Sequence, residues 1–127
     1  MIFTSYFAMA KRLREHGIKL VSIAQWSPRW LKCDANEIEL APNRDILRDA
    51  KDGTIDWKEY SKRYKDQLSK SKERVKDIIA HYEADGEDYA FLCYETLRDE
   101  SKCHRVLLSQ YVKRHLGIEI KEWVAPG

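Results

Sequence analysis

The chain has 127 residues, a length that fits one domain with one hydrophobic core. Lysine and arginine number 23, and aspartate and glutamate number 21, so the formal net charge is only +2. This balance argues against a dedicated nucleic-acid-binding protein, which usually concentrates a basic excess on one face. No apolar run approaches the length of a membrane span, so no membrane partner is expected.

The cysteine content indicates a reducing compartment. The chain has three cysteines, Cys33, Cys93 and Cys103, and its first residues lack the basic and apolar pattern of a signal peptide. An odd number of cysteines without an export signal is typical of reduced thiols. We therefore expect a cytoplasmic protein.

Four short segments have the composition of β-strands. The third is almost continuously apolar, which is typical of a strand buried on both faces of a sheet. The predicted strands are Ile2–Ser5, Lys19–Ala24, Tyr89–Tyr94 and Ile118–Trp123.

Helical patterns lie between these strands, with apolar residues recurring at spacings of three and four. His16-Gly17 and Gly117 are plausible stops for the first and last helices. The predicted helices are Phe7–Glu15, Asn43–Asp49, Asp56–Leu68, Lys72–Glu83 and Cys103–His115.

The alternation of strands and helices predicts an α/β fold. We expect a single domain over residues 1–127, with a mostly parallel four-stranded sheet covered by helices. The simplest strand order is 2-1-3-4, with the apolar third strand in a central position. In such sheets, ligands bind beyond the carboxyl ends of the strands, where the order of connection reverses.

This topology predicts a ligand pocket at the carboxyl-terminal ends of the first and third strands. The first strand ends at Thr4, Ser5 and Tyr6, and the third strand ends at Cys93-Tyr94-Glu95. The long connection after the second strand leaves from the same edge and could wall the pocket. Its candidate ligand-binding residues are Trp26, Arg29 and Trp30.

The segment Cys93–Arg105 carries most of the candidate chemistry. Ser101 is a plausible N-cap, so that Lys102, Cys103 and His104 begin the last helix. Their free backbone N–H groups, with the nearby basic side chains, favour an anion such as phosphate or carboxylate. We expect Arg105 and His104 to bind that anion. The same positive field predicts a lowered pKa for the Cys103 thiol.

Glu95 adds a carboxylate to this segment. It could act as a general base, orient Arg105, or accept a hydrogen bond from a ligand. The catalytic candidates are therefore Cys103, Glu95 and Cys93. Structural alternatives stay open, because buried cysteines are common core residues and Arg105 with Glu95 could form a purely structural ion pair.

A metal site has weaker support in the sequence. Cys33, Cys93, Cys103 and His104 could bind zinc, but no Cys-x-x-Cys spacing is present. We therefore expect neither a metal nor a cofactor.

At these residues the chain resembles a short member of the domain of unknown function 488 family. The pairing of Leu-Cys-x-Glu with Cys-His-Arg is the specific part, and the other matches are spread over nearly the whole chain. The residues that carry the resemblance are Ile2–Tyr6, Ser22-Ile23, Pro28–Trp30, Leu40–Pro42, Tyr60, Tyr64, Phe91–Glu95 and Cys103–Arg105.

The resemblance implies a single α/β domain whose shared polar residues gather near Cys93, Glu95, Cys103, His104 and Arg105. It implies no established activity. Many longer relatives carry Asp-x-Arg on the second strand, where this chain has Ser22-Ile23-Ala24. Short relatives occur in bacteria and their phages, so the resemblance is compatible with a nucleic-acid-modification or anti-defence role.

Three functions are compatible with these residues. The first is an enzyme with a cysteine thiolate, acting on a small anionic or nucleotide-like molecule. The second is a module that sequesters such a ligand without turnover, for example in phage or defence biology. The third is a structural or partner-binding protein in which Cys-His-Arg only fixes a loop.

Overall fold

The computed structural model describes residues 1–94 and 103–126, and it has the α/β architecture predicted from the sequence. Five short strands form one sheet in which every paired neighbour is parallel. The sheet order is β3-β2-β4-β1-β5. The strands are β1 Ile2–Tyr6, β2 Lys19–Ser22, β3 Ala35–Asn36, β4 Tyr89–Cys93 and β5 Lys121–Glu122.

Five α-helices connect and cover the strands within the described residues. Short 3-10 segments at Phe7–Met9 and Ile38–Leu40 precede the first two. None of the described helices combines the length and apolar character that a membrane span requires. The helices are α1 Ala10–Glu15, α2 Arg44–Lys51, α3 Trp57–Lys70, α4 Lys72–Ala84 and α5 His104–Leu116.

The apolar strand β4 lies in the middle of the sheet, as predicted, and all five of its residues are buried. Its side chains alternate between two hydrophobic clusters, because successive residues of a strand point to opposite faces. Tyr89 and Phe91 join the cluster formed with α3, α4 and α5. Ala90 and Leu92 join the cluster formed with α1. The sheet therefore has helices on both faces.

The predicted strand order 2-1-3-4 was wrong in one respect. Strand β4 lies between β1 and β2. Its residue Leu92 is the register partner of Ser5 in β1 and of Ser22 in β2. A strand buried on both faces gains most from two paired neighbours, so it takes the position between the two longer partners. The last strand consequently pairs with β1.

Two connections also differ from the prediction. The long segment after β2 contributes the short edge strand β3, which the sequence did not indicate. The N-cap of α5 is Cys103, with an extended backbone at φ −144° and ψ 143°, so the helix begins at His104. Ser101 and Lys102, predicted as the N-cap and first helical residue, lie outside the described residues.

Candidate functional site

The end of β4 and the start of α5 bring two cysteines together. Cys93 is the last residue of the buried strand, and Cys103 is the N-cap of the helix that packs back on the sheet. Their Sγ atoms are 2.8 Å apart, and both side chains are buried. The sequence predicted that these thiols could lie near one another, and the structure confirms it.

Arg105 lies beside this thiol pair. Its Nη1 is 2.9 Å from the Sγ of Cys93 and 3.2 Å from the Sγ of Cys103. The side chain has no exposed surface, and its guanidinium carbon lies 5.6 Å from the centre of the Tyr6 ring. One guanidinium nitrogen is therefore a hydrogen-bond donor to both sulfur atoms in a site shielded from water.

Glu122 anchors the other side of the same guanidinium. Arg105 donates from Nε to Oε1 at 3.0 Å and from Nη2 to Oε2 at 3.1 Å, a bidentate pair. Thr4 donates its hydroxyl to Glu122 Oε1 at 2.8 Å. These contacts follow from topology, because Thr4 and Glu122 are register partners in the β1–β5 ladder.

Glu122 is the site residue that the sequence analysis missed. It lies in the predicted last strand, but the predicted order put that strand beside the third strand and not beside β1. A charged residue in a short edge strand is common and carries no functional signal by itself. Only the position of β5 next to Thr4 reveals its partner.

His104 is the first residue of α5 and is 6% exposed. Its Nε2 lies 2.8 Å from the carbonyl oxygen of Ile23, and the ring meets that of Tyr64 edge-on at 5.7 Å. A carbonyl oxygen only accepts, so Nε2 carries the proton and donates it. In a neutral imidazole, Nδ1 is then an acceptor.

Burial and hydrogen bonds shift the pKa values of Cys103 and Arg105. The hydrogen bond to Cys93 and burial raise the pKa of Cys103, although His104 opposes the shift. The predicted lowering of the Cys103 pKa was therefore wrong, because the neighbouring sulfur and burial outweigh the positive charges. Burial opposes the charge of Arg105, but the hydrogen bonds to Glu122 and the nearby sulfurs raise its pKa, so it stays protonated.

Three of these groups could also serve as ligands for a metal ion. The donor atoms of Cys93, Cys103 and His104 all lie within 4.8 Å of one another. However, Nη1 of Arg105 already donates to both sulfurs, and a cation bound to them would meet this positive group. The arginine contacts therefore favour a thiol pair over a metal site at this position.

A cavity of about 410 Å³ opens beside the thiol pair, between α2, α3 and the start of α5. This size is within the usual range of small-molecule pockets. Cys103 and His104 form one wall of it. The other lining residues are Leu47, Ala50, Lys51, Ile55, Asp56, Trp57 and Tyr60.

The structure brings some predicted residues to the site and leaves others away from it. Thr4 contacts Glu122, and Tyr6 lies against Arg105. Ser5 is buried, and its hydroxyl has no hydrogen-bond partner among the described residues. Glu95, predicted as an acid–base group or partner of Arg105, lies outside the described residues.

The predicted aromatic wall contributes no residue to the described lining of the cavity. Trp26 and Trp30 are exposed, and Arg44 stacks over the Trp26 ring at 5.4 Å. Trp30 lines a separate shallow groove with residues of α1, and Arg29 is exposed. These side chains are not among those that line the cavity beside Cys103. Their predicted contact with a ligand stays a prediction.

The comparison with protein families agrees with the resemblance noted above. The family model DUF488-N3a, described as the active DUF488-N3 subclade, matches residues 6–116. No curated protein and no solved structure matched the chain. The matched range contains Cys93, Cys103, His104 and Arg105, but it ends before Glu122.

Proposed function

This chain belongs to the DUF488-N3a family, and we propose that it binds a small anionic or nucleotide-like molecule and modifies it by thiol chemistry at Cys93 and Cys103. The description of the family model as an active subclade supports an enzyme. The three free cysteines suit a reducing compartment, so we also propose a cytoplasmic location.

The observation that carries the proposal is the contact of one arginine with two sulfurs. Arg105 Nη1 lies within 3.2 Å of both Sγ atoms, and the guanidinium is buried. A positive group held there favours removal of one proton from the pair. The hydrogen bond to Cys93 and burial raise the pKa of Cys103, so this proposal assigns the remaining proton to Cys103.

The two thiols have complementary roles in this proposal. Cys103 lines the cavity, whereas Cys93 is fully buried. When the shared proton moves to Cys93, Cys103 becomes the nucleophile, and Arg105 still contacts both sulfurs. The Cys103 thiolate forms a bond to an electrophilic atom of the ligand, and the leaving group departs with its electron pair. The Cys93 thiol then supplies a proton to that group.

Labelling with iodoacetamide tests the proposal without a known substrate. A Cys33→Ser parent removes the only other thiol. We expect Cys103 to be carboxamidomethylated in the folded parent near neutral pH, as read by mass spectrometry. Arg105→Lys keeps a positive charge but loses the planar guanidinium that contacts both sulfurs, so we expect the thiol pKa to rise. Each unit of that rise should slow labelling by about tenfold.

Two outcomes would contradict the proposal. One is a folded parent in which Cys103 stays unlabelled, a result that favours a structural role for the Cys-His-Arg motif. This result needs only the parent, so it holds even if Arg105→Lys fails to fold. The other is stoichiometric zinc in the purified protein, which would make Cys93, Cys103 and His104 a metal centre. A ligand that protects Cys103 but is recovered unchanged would favour the sequestering module.

A further inference from the structure

The cavity beside Cys103 has a pair of stacked aromatic rings in its wall. Trp57 and Tyr60 stack on one another in its wall, with ring centres 5.1 Å apart and planes inclined by 19°. Both rings are only partly buried and line the cavity, so an outer face or edge of the stacked pair is open to a ligand. Leu47 and Ile55 add apolar area to the lining. Such a surface favours a planar ring in the ligand.

The same cavity is bordered by positive groups at Lys51 and at the start of α5, and by the Asp56 carboxylate at the start of α3. The helices α3 and α5 both begin at it, through Trp57 and His104, and helix N-termini carry partial positive charge. Lys51 lines the rim and forms no ion pair with any described residue. Asp56 is the only acidic residue in the described lining, and its Oδ1 accepts the backbone N–H of Glu59.

From these observations we propose that the cavity binds a compact molecule with a planar ring and an anionic group, the ring against Trp57 and Tyr60 and the anion near Lys51. This inference rests on the proposed thiol function, because it places the reacting part of the ligand beside Cys103. It assigns recognition to α2 and α3, and not to the loop with Trp26, Arg29 and Trp30.

Two thiol reagents of different shape and charge test the inference. Dithiobis(nitrobenzoate) carries two planar aryl rings, each with a carboxylate, whereas methyl methanethiosulfonate is small and neutral. With either reagent, the Cys103 thiolate attacks one sulfur and a protein–reagent disulfide forms. The aryl thiolate or the methanesulfinate leaves with the electron pair of the broken bond. The ratio of the two rate constants at Cys103 measures the preference of the cavity.

The comparison uses the Cys33→Ser parent, two variants each with a matched control, and one conservative variant of Trp57. Lys51→Gln should lower the ratio on the order of fivefold, the effect expected for loss of one favourable charge contact. Lys70→Gln, at the opposite end of α3, should leave it unchanged. Trp57→Leu should lower the ratio about threefold, with recovery in Trp57→Phe. Trp30→Leu, in the exposed loop, should have no effect.

Different results would overturn different claims. A ratio that is equal in the parent, Lys51→Gln and Trp57→Leu would overturn the assignment of the cavity while leaving the thiol proposal intact. A fall in the ratio for Trp30→Leu alone would move recognition to the loop. No reaction of Cys103 even with methyl methanethiosulfonate would contradict both claims, since the cavity would then give no access to the thiol.

Protection of Cys103 from methyl methanethiosulfonate separates two sources of this ligand chemistry. Adenosine monophosphate represents nucleotides, and nitrobenzoate represents aryl acids. Stronger protection by either one supports the inference and identifies its class. Equal protection by adenosine or by inorganic phosphate alone would overturn it, because one half of the proposed ligand would then suffice.

Discussion

Glu122 fixes the orientation of Arg105 by two parallel hydrogen bonds, from Nε at 3.0 Å and from Nη2 at 3.1 Å. Because the guanidinium is planar, this pairing also determines the direction of the remaining nitrogen, Nη1, which points at the two thiols. An edge strand of the sheet thus determines the geometry of a site at the start of α5. Glu122 is 30% exposed, so it can be changed with less risk to folding than the fully buried arginine.

Thr4→Val removes the hydroxyl that donates to Glu122 at 2.8 Å and keeps the shape of the side chain. We expect the free energy of unfolding to fall by about 1–2 kcal/mol, because a partly buried carboxylate loses a hydrogen bond. Urea denaturation measures this change. Thr4→Ser keeps the hydroxyl and loses only the methyl group, so this control measures packing separately. An unchanged free energy of unfolding in Thr4→Val would contradict the role of the hydrogen bond to Glu122.

Cys93→Ser, made in the Cys33→Ser parent, should lower the pKa of Cys103. The hydrogen bond to the Cys93 sulfur is the largest cause of the raised pKa, and a serine hydroxyl stays neutral. In this variant Cys103 is the only thiol that Arg105 Nη1, at 3.2 Å from its Sγ, can stabilise as a thiolate. The pH dependence of iodoacetamide labelling at Cys103 gives the pKa. An unchanged or higher value would show that burial, and not the sulfur pair, controls this thiol.

Tyr89 donates a hydrogen bond to the carboxylate of Asp85, and both groups titrate unusually. The bond lowers the pKa of Asp85 and, with burial, raises the pKa of Tyr89 to about 12. A lowered carboxyl pKa stabilises the fold above about pH 4, and this contribution is lost as the pH falls through the folded value. A raised tyrosine pKa stabilises it below about pH 10, and this contribution is lost between about 10 and 12.

Tyr89→Phe should therefore reduce the stability of the protein at neutral pH and flatten its pH dependence at both extremes. Thermal denaturation across the pH range measures this, with Tyr94→Phe as the control at an exposed tyrosine. A profile in which Tyr89→Phe and the parent differ by the same amount at every pH would contradict the role of the Asp85 carboxylate.

The sequence was sufficient to predict the parts of the fold that depend on local pattern. Strand β4 is apolar at every position, which predicted its central place, and the stripes in α3, α4 and α5 predicted the helices that cover it. The strand order could not be predicted in this way. The order depends on which strands pair with the two sides of β4, and those pairings join residues that are far apart in the chain.

The candidate site shows the same division. Cys93, Cys103 and Arg105 are close in sequence, so the turn from strand to helix was enough to predict that they gather. Glu122 reaches Arg105 only because β5 pairs with β1, and no local pattern encodes that pairing. The direction of the Cys103 pKa shift was likewise not accessible, since it depends on a sulfur–sulfur distance of 2.8 Å.

Activation of the thiol pair by Arg105 is tested most directly by titrating thiolate absorbance in the Cys33→Ser parent and in Glu122→Gln. Glu119→Gln, at an exposed position, is the control. We expect the parent to release one proton from the Cys93–Cys103 pair below the ordinary cysteine pKa of about 8.5. Glutamine keeps a hydrogen-bond acceptor for Arg105 but removes the negative charge that neutralises it. Glu122→Gln should therefore lower the apparent pKa of the pair further, whereas Glu119→Gln should leave it unchanged. A higher apparent pKa in Glu122→Gln would show that the orientation set by the two parallel hydrogen bonds outweighs the lost charge. A parent with no thiolate below that pH, or an apparent pKa that is equal in Glu122→Gln, would contradict the claim that Arg105 activates the thiol pair.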